Sequence, residues 1–252
     1  MGQNVSGGMS EVRPYDDRER SKREEVEEMF DRISPRYDLL NRAFSLGIDQ
    51  GWRRKVVRLL GQEPVTDLLD VATGTGDLAL LGASKAEHVV GVDISEGMLE
   101  KGRIKIAKAR LEDRIVMQRA DSADLPFPEA SFDAVTVAFG VRNFEHLVKG
   151  IGEMVRVLRP GGRLFVLEFS KPMHTPMRQL FRFYFHRVMP LIGRVVSKDH
   201  RAYTYLPESV EAFPEGAAFE AILAGAGLQE LRTTPLSGGI ATLYVGRKPV
   251  AP

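Results

Sequence analysis

The chain contains no cysteine, which excludes disulfides, thiolate nucleophiles and cysteine-based metal sites. It also lacks any marked excess of charge, since 35 Lys and Arg against 34 Asp and Glu leave a formal net charge of +1. With its basic residues spread rather than blocked, it gives no case for a nucleic-acid partner. No apolar run approaches the roughly 20 residues needed to span a bilayer. Met1–Ser10 is polar and rich in Gly and Ser rather than a signal h-region, so a cytoplasmic location is expected. H-E-x-x-H and P-loop patterns are missing too, and no Ser-His-Asp arrangement is evident. His88, His146, His174, His186 and His200 show no ligand-like spacing, and no metal is expected. The 252 residues, 43% hydrophobic and 27% charged, suit one large domain with a substantial core.

What is present is concentrated between Leu68 and Asp93. An apolar run, Leu68-Leu69-Asp70-Val71-Ala72, leads into Thr73-Gly74-Thr75-Gly76-Asp77, a helical stretch follows, and His88-Val89-Val90-Gly91-Val92 ends at Asp93. This is the first half of a βαβ unit that holds a nucleoside. The glycines permit a tight turn and close approach to a ligand. A carboxylate ending the second strand can accept hydrogen bonds from both hydroxyls of a ribose. Two ligands fit. Gly74-Thr75-Gly76-Asp77-Leu78-Ala79 meets the loose dinucleotide fingerprint, with Asp93 at the expected separation. An S-adenosylmethionine site instead uses an acid shortly before the Gly-x-Gly, here Asp70, to pair with the ligand's α-amino group.

The rest of the chain bears on that choice. Residues 1–20 are expected to form a mobile tail. Ser21-x-x-Glu24 is a capping box ahead of Val26, Met29, Phe30 and Ile33 at helical spacing, and opens a helical segment, 21–64, that lies over the active-site edge. Within it Tyr37, Asp38 and Asn41 serve either a site or local caps. Strands are expected near Thr66–Val71, Val89–Asp93, Ile115–Arg119, Phe132–Phe139 and Arg163–Phe169. Helices are expected at Asp77–Lys85, Glu96–Arg110 and Glu145–Leu158, the last stopped by Pro160-Gly161-Gly162. Alternation of this kind makes 65–171 an α/β core, a parallel sheet with helices on both faces. Leu228–Thr234 and Ala241–Gly246, split by a Gly-rich turn, suit a hairpin. Residues 215–252 then complete a seven-stranded, mostly parallel sheet with a terminal antiparallel strand. That arrangement fits a class I S-adenosylmethionine-dependent methyltransferase better than a dinucleotide dehydrogenase. Residues 172–214 break the alternation and read as a helical lid. Leu180, Phe181, Tyr184, Phe185, Val188 and Met189 form its stripe, with Arg178, Arg182 and His186 off centre. Such a stripe serves core contact or, over 178–196, a membrane surface.

Candidate chemistry gathers at the strand ends. Asp121-Ser122 follows the third strand and can take an adenine amino group, with Leu125 and Phe127 flanking the purine or packing in the core. Phe139-Gly140-Val141-Arg142-Asn143 ends the fourth strand, where ligands collect in open α/β sheets. Arg142 either acts directly or pairs with a carboxylate such as Asp77.

Taken together these motifs resemble the quinone-biosynthesis C-methyltransferases, the demethylmenaquinone and ubiquinone-pathway enzymes, from about Met29 to Arg247. The likeness rests on Met29-Phe30-Asp31-Arg32-Ile33-Ser34-Pro35-Arg36-Tyr37-Asp38, on Asp70 to Asp77, and on Phe139 to Asn143. It extends through Arg156-Val157-Leu158-Arg159-Pro160-Gly161-Gly162, Glu168-Phe169-Ser170 and Tyr205-Leu206-Pro207-Glu208-Ser209-Val210. Leu40, Asp49 and Ala138 stand where that family often has Met, His and Ser. The resemblance implies S-adenosylmethionine as cofactor, contacted at Thr75, Asp93 with Ile94 beside it, Asp121 and Ser122. It implies a polyprenylated quinol as substrate, demethylmenaquinol ahead of the benzoquinol precursor or another small acceptor. Transfer of methyl to a ring carbon needs an oriented, electron-rich ring and loss of a proton. Arg142 is expected to stabilise the oxyanion, with Asn143 beside it and Tyr37 and Asp77 as further candidates. A peripheral contact at the inner face of the membrane and a homodimer are the associations such a chain admits.

Overall fold

The computed structural model describes residues 12–17, 19–45, 47–184, 187 and 200–250. Its strands are β1 (Val65–Val71), β2 (Ala86–Asp93), β3 (Ile115–Arg119), β4 (Phe132–Ala138), β5 (Leu158–Phe169), β6 (Gln229–Leu236) and β7 (Ala241–Arg247). They form one seven-stranded sheet in the order β3-β2-β1-β4-β5-β7-β6. β1 to β5 pair in parallel, and β7 runs antiparallel to both β5 and β6. The reversed strand expected at the end of the chain is therefore present, seated inside the sheet with β6 beyond it.

Side chains alternate across each strand, and the sheet buries both faces. Leu68 and Phe165 face one core layer with Trp52, Val56 and Leu60 of α3 (Ile48–Leu60), Leu78 of α4 (Asp77–Gly82) and Leu99 of α5 (Glu96–Ala109). Leu69, Val135 and Val137 face the other, with Ile151 and Met154 of α6 (Leu147–Val157) and Phe219 of α9 (Ala217–Gly225). Burial on both faces explains why successive residues, Leu68 and Leu69 of β1 and Ala134 and Val135 of β4, are both apolar and both buried. Leu60 is wholly buried, and hiding such a side chain contributes about 2 kcal/mol.

Several boundaries differ from expectation, two of them for a clear physical reason. Helix α6 ends at Val157, and Pro160-Gly161-Gly162 lies inside β5 rather than in a turn before it. The β4–β5 register shifts there, and Gly161 has φ +79°, a bulge that glycine permits and that keeps Pro160 out of the regular ladder. Helix α4 stops at Gly82, short of Lys85. A Cβ at Gly82 would sit 2.6 Å from Leu68 Cδ2, so glycine lets this helix pack tightly on β1.

The N-terminal segment comprises α1 (Lys22–Ile33), a 3₁₀ turn at Ser34–Arg36, α2 (Tyr37–Ser45) and α3. Ser21 and Glu24 form the expected reciprocal capping box. The connection after β5 holds α7 (Met177–Phe183) and α8 (His200–Ala212). Phe181 and Tyr184 pack on Leu206, Val210 and Phe169, whereas Leu180 is exposed and leaves the expected stripe. Phe185, His186, Val188 and Met189, like much of 178–196, lie outside the described residues.

Candidate active site

The glycine turn after β1 forms because Gly74 and Gly76 take φ +57° and +80°, where a side chain would be strained. Its backbone is tied to the end of β2: Gly74 N donates to Asp93 Oδ2 at 2.8 Å, and Ser95 N donates to Asp93 Oδ1 at 3.0 Å. These bonds hold the Asp93 carboxylate at the cavity wall with lone pairs to spare. Burial pushes its pKa up to about 6, against the backbone bonds that favour the ion.

Two cavities adjoin at the carboxyl edge of the sheet. The first, about 810 Å³, is lined by Gly74, Asp93, Ile94, Asp121, Ser122 and apolar side chains including Met98 and Ala138. The second, about 780 Å³, is lined by Met29, Ile33, Asp49, Arg53, Arg142, Phe169 and Leu206 among others. Phe30, Tyr37, Phe139 and Asn143 line both and form the wall between them.

That wall is built on strained backbone. Phe139, just past β4, has φ +62°, and Ala72, just past β1, has φ +50°. A bulky residue at positive φ costs of order 1–3 kcal/mol and clusters at functional sites. Phe139 N donates to Leu167 O at 2.7 Å, and Arg142 Nη1 donates back to Phe139 O at 2.6 Å. Gly140 is required beside Ala72, because a Cβ there would lie 2.6 Å from the Ala72 Cβ. In the second cavity the rings of Phe139 and Phe169 lie 4.5 Å apart, with Trp52 against both. The Arg53 and Arg142 guanidiniums sit over Phe139 and Phe169, at 5.2 and 5.4 Å, within cation–π range.

Arg142 is paired, but not with Asp77. Its Nη1 lies 2.6 Å from Glu168 Oε1, and the side chains are 9% and 0% exposed. Arg142 Nε and Asn143 Oδ1 are buried without a hydrogen-bond partner, so a donor and an acceptor are left unused at the cavities. Burial raises the pKa of the Tyr37 phenol, with Asn41 as its hydrogen-bond partner.

Several expected site residues stand behind the cavity walls. Asp70 is 1% exposed and lines neither cavity. Thr73 Oγ1 and Thr136 Oγ1 each donate to it at 2.6 Å. Burial pushes its pKa up to about 6. Its position suits holding the turn rather than meeting an α-amino group. Asp77 also lines neither cavity; Lys105 Nζ lies 2.7 Å from its Oδ1 and 2.7 Å from Asp38 Oδ2. Lys105 also donates to Thr75 Oγ1 at 2.8 Å, and that hydroxyl donates to Asp38 Oδ1 at 2.6 Å. Thr75 and Gly76 thus shape the loop without lining the cavity. Leu125 is core, and Phe127 packs edge-on to Phe132 at 5.1 Å.

The N-terminal segment is fastened to this edge at several points. Asp31 Oδ1 accepts from Ser95 Oγ at 2.6 Å and from Gly97 N at 3.0 Å, an acid at the positive end of α5. Arg23 approaches Asp121 Oδ2 at 3.6 Å, and Asp121 Oδ1 accepts from Ala123 N at 2.8 Å.

Sequence reasoning missed Lys105 and the roles of Asp31 and Glu168. Lys105 lies 28 residues from Asp77, so no local spacing marked it.

The residues of the first cavity fit a sulfonium nucleoside: an acid ends β2, a turn at positive φ approaches it, polar groups follow β3, and apolar side chains lie between. Among the described residues no cluster able to hold a metal ion is present.

Comparison with known proteins agrees with this geometry. The model of the ubiE/COQ5 methyltransferase family matches residues 18–248. A demethylmenaquinone methyltransferase of Bacteroides fragilis is 45% identical over 239 residues, covering 94% of this chain and 97% of the relative. A ubiquinone/menaquinone biosynthesis C-methyltransferase UbiE of Geotalea daltonii is 46% identical over 230 residues, covering 90% and 97%. Among solved structures, a putative S-adenosyl-L-methionine-dependent methyltransferase of Methanococcus maripaludis matches with TM-score 0.62 at 16% identity, covering 88% of this chain and 94% of that one.

Proposed function

The chain belongs to the ubiE/COQ5 methyltransferase family, and from that premise we propose that it methylates a ring carbon of a polyprenylated quinol, demethylmenaquinol, using S-adenosylmethionine. The single observation that carries the reading is the pair of adjoining cavities. One is lined as for a nucleoside and the other by stacked rings and guanidiniums, with Tyr37, Phe139 and Asn143 between.

When bound, S-adenosylmethionine supplies a methyl group already activated by its sulfonium. Asp93 and Gly74 would hold the ribose side, Ile94 and Met98 the apolar flank, and Asp121 with Ser122 the adenine edge. Thr75, Gly76 and Asp70 would hold the loop in shape. In the second cavity the quinol ring stacks against Phe139 and Phe169. The spare Nε–H of Arg142 donates to the ring oxygen as negative charge develops there, worth about 2.7–4 kcal/mol for a well-placed donor. Arg142 serves as a donor only, because a guanidinium offers no acceptor. The Asn143 amide oxygen accepts from a ring hydroxyl and so fixes the ring's rotation. Tyr37, its pKa raised by burial, closes the wall and excludes water.

Helix α7 supports a peripheral membrane contact, because Leu180 and Phe183 are exposed beside Arg178 and Arg182. No helix among the described residues is long and apolar enough to cross a membrane. Vesicle flotation with and without anionic lipid tests that contact, and sizing in detergent tests for a homodimer.

The function itself is tested with tritiated S-adenosylmethionine and reduced quinones. Label is expected in the naphthoquinol product. Label confined to the benzoquinol, or to no quinol, overturns the substrate assignment.

A further inference from the structure

Methylation of a quinol carbon requires a group that takes the hydroxyl proton, and neither Arg142 nor a neutral Tyr37 is suited to it. We infer that Asp49 is that proton acceptor. The inference rests on the quinol reading above and goes beyond it by assigning the base.

Among the described residues that line the second cavity, Asp49 is the one carboxylate. The other titratable groups there are the phenols of Tyr37 and Tyr205 and the guanidiniums of Arg53 and Arg142. Asp49 is 4% exposed and Arg53 7%, so this acid is nearly removed from bulk water. Ser45 Oγ donates to Asp49 Oδ1 at 2.6 Å. Gln50 Nε2 and Arg53 Nε reach Oδ2 only at 3.3 and 3.4 Å. A carboxylate offers about four lone-pair positions, so Asp49 keeps accepting capacity beyond these three bonds. The short bond from Ser45 orients the group, and the long one from Arg53 leaves its ion only loosely neutralised.

A purely structural ion pair explains the arrangement less well. Asp49 and Arg53 are four residues apart on α3, where a pair on an exposed face helps a helix by only about 0.2–0.5 kcal/mol. Here both charges are turned into an apolar, ring-lined cavity, where desolvation offsets or exceeds their attraction. Two apolar side chains would hold α3 as well. A buried acid that lines the cavity holding the ring meets the geometric requirement of a general base.

Asp49 takes the proton of the ring hydroxyl, and the oxygen's electrons raise the nucleophilicity of the ortho carbon. That carbon forms its bond to the methyl group while the S–CH₃ bonding pair stays on sulfur as a neutral thioether. The ring carbon then bears both H and CH₃ beside a carbonyl. Loss of its proton to water restores the aromatic ring, and Asp49 returns its own proton to the oxygen. One proton is released overall, matching the positive charge lost from sulfur.

The test uses the full chain with a series of reduced naphthoquinones whose hydroxyl acidity is graded by ring substituents. Asp49→Asn is expected to lose about 10²–10⁴-fold in kcat on the least acidic acceptor. The loss should shrink steadily as the acceptor becomes more acidic, while S-adenosylmethionine affinity by calorimetry stays within about twofold. Asp49→Glu should recover part of the rate. If Asp49→Asn does not fold, Ser45→Ala carries the same test, with a smaller loss that again depends on acceptor acidity. A loss equal across the series, or none, overturns the assignment of Asp49 and leaves the function standing. A wild-type chain that methylates no quinol overturns both.

Discussion

Glu168→Gln is the sharpest perturbation the site offers. The substitution keeps the shape of the side chain and its bond from Phe169 N, which runs 2.9 Å to Oε1, but removes the charge facing Arg142. The pair is 9% and 0% exposed, so water cannot replace the lost partner. Removing one member of a buried pair costs about 3–5 kcal/mol; the isosteric amide, which still accepts a hydrogen bond, should sit at about 3 kcal/mol. For a chain of this size each kcal/mol moves the midpoint by about 2–4 °C, which gives a drop of about 6–12 °C. On the proposed reading, the guanidinium also loses the anchor that aims its Nε at the ring oxygen. Misplacement of a catalytic donor by about 1 Å costs on the order of 10²-fold in kcat. Calorimetric melting, methyl-transfer kinetics and S-adenosylmethionine binding on one preparation check all three effects. Affinity for the nucleoside should stay within about twofold, because Glu168 lines neither cavity. A variant that melts within about 1 °C of wild type and turns over normally would refute the reasoning, since the pair would then matter to neither stability nor orientation.

Other outcomes follow from neighbouring groups. The Asp93 pKa is raised to about 6 on folding, so its contribution to apo stability is full below about pH 4 and lost as pH rises through about 6. The stability of wild type relative to Asp93→Asn, measured by denaturant melts, should therefore fall between pH 5 and pH 7 by roughly 1–2 kcal/mol; a flat difference contradicts it. Conversely, S-adenosylmethionine affinity should weaken up to about tenfold per unit as pH falls below that value in wild type, and stay level in Asp93→Asn, by calorimetry. Lys105→Met should shift the midpoint little, because its ion pairs are partly exposed. It should still raise the quinol KM and the nucleoside Kd together, and a change in only one would separate the two loops it joins. Asp31→Ala removes two bonds to the start of α5 and should cost about 1–2 kcal/mol, read by thermal melting with and without S-adenosylmethionine.

The parts of the fold that were legible from the chain are those governed by local pattern. The capping box at Ser21, the apolar runs of β1 and β4, and the hairpin of β6 and β7 all depend on near neighbours. In the sequence alone Pro160-Gly161-Gly162 reads as a turn, because a bulge and a helix stop use the same residues, and only the pairing of Ala134 with Arg163 distinguishes them. At the site, Gly74, Asp93, Ile94, Asp121 and Ser122 were identified by position at strand ends, and they line the first cavity. Asp70, in β1, and Asp77, opening α4, flank the same turn but line neither cavity, which depends on side-chain placement that spacing does not carry. The Arg142 partner was misassigned for a related reason: Glu168 closes β5, 26 residues on, and meets Arg142 only because β4 and β5 are adjacent. The positive φ of Phe139 had no signature at all, since nothing but Gly140 beside it hinted at a sharp bend.

The fastening of the N-terminal segment to the nucleoside loops has an engineering consequence. Asp31 and Asp38 reach from the N-terminal segment to Ser95, Gly97, Thr75 and Lys105, so on the proposed reading acceptor preference and donor grip are not separate modules. A chimera that borrows this stretch from a relative to change acceptor choice must import those two acids in register with their receiving loops. Otherwise the transplant would loosen the donor site along with the one it was meant to alter.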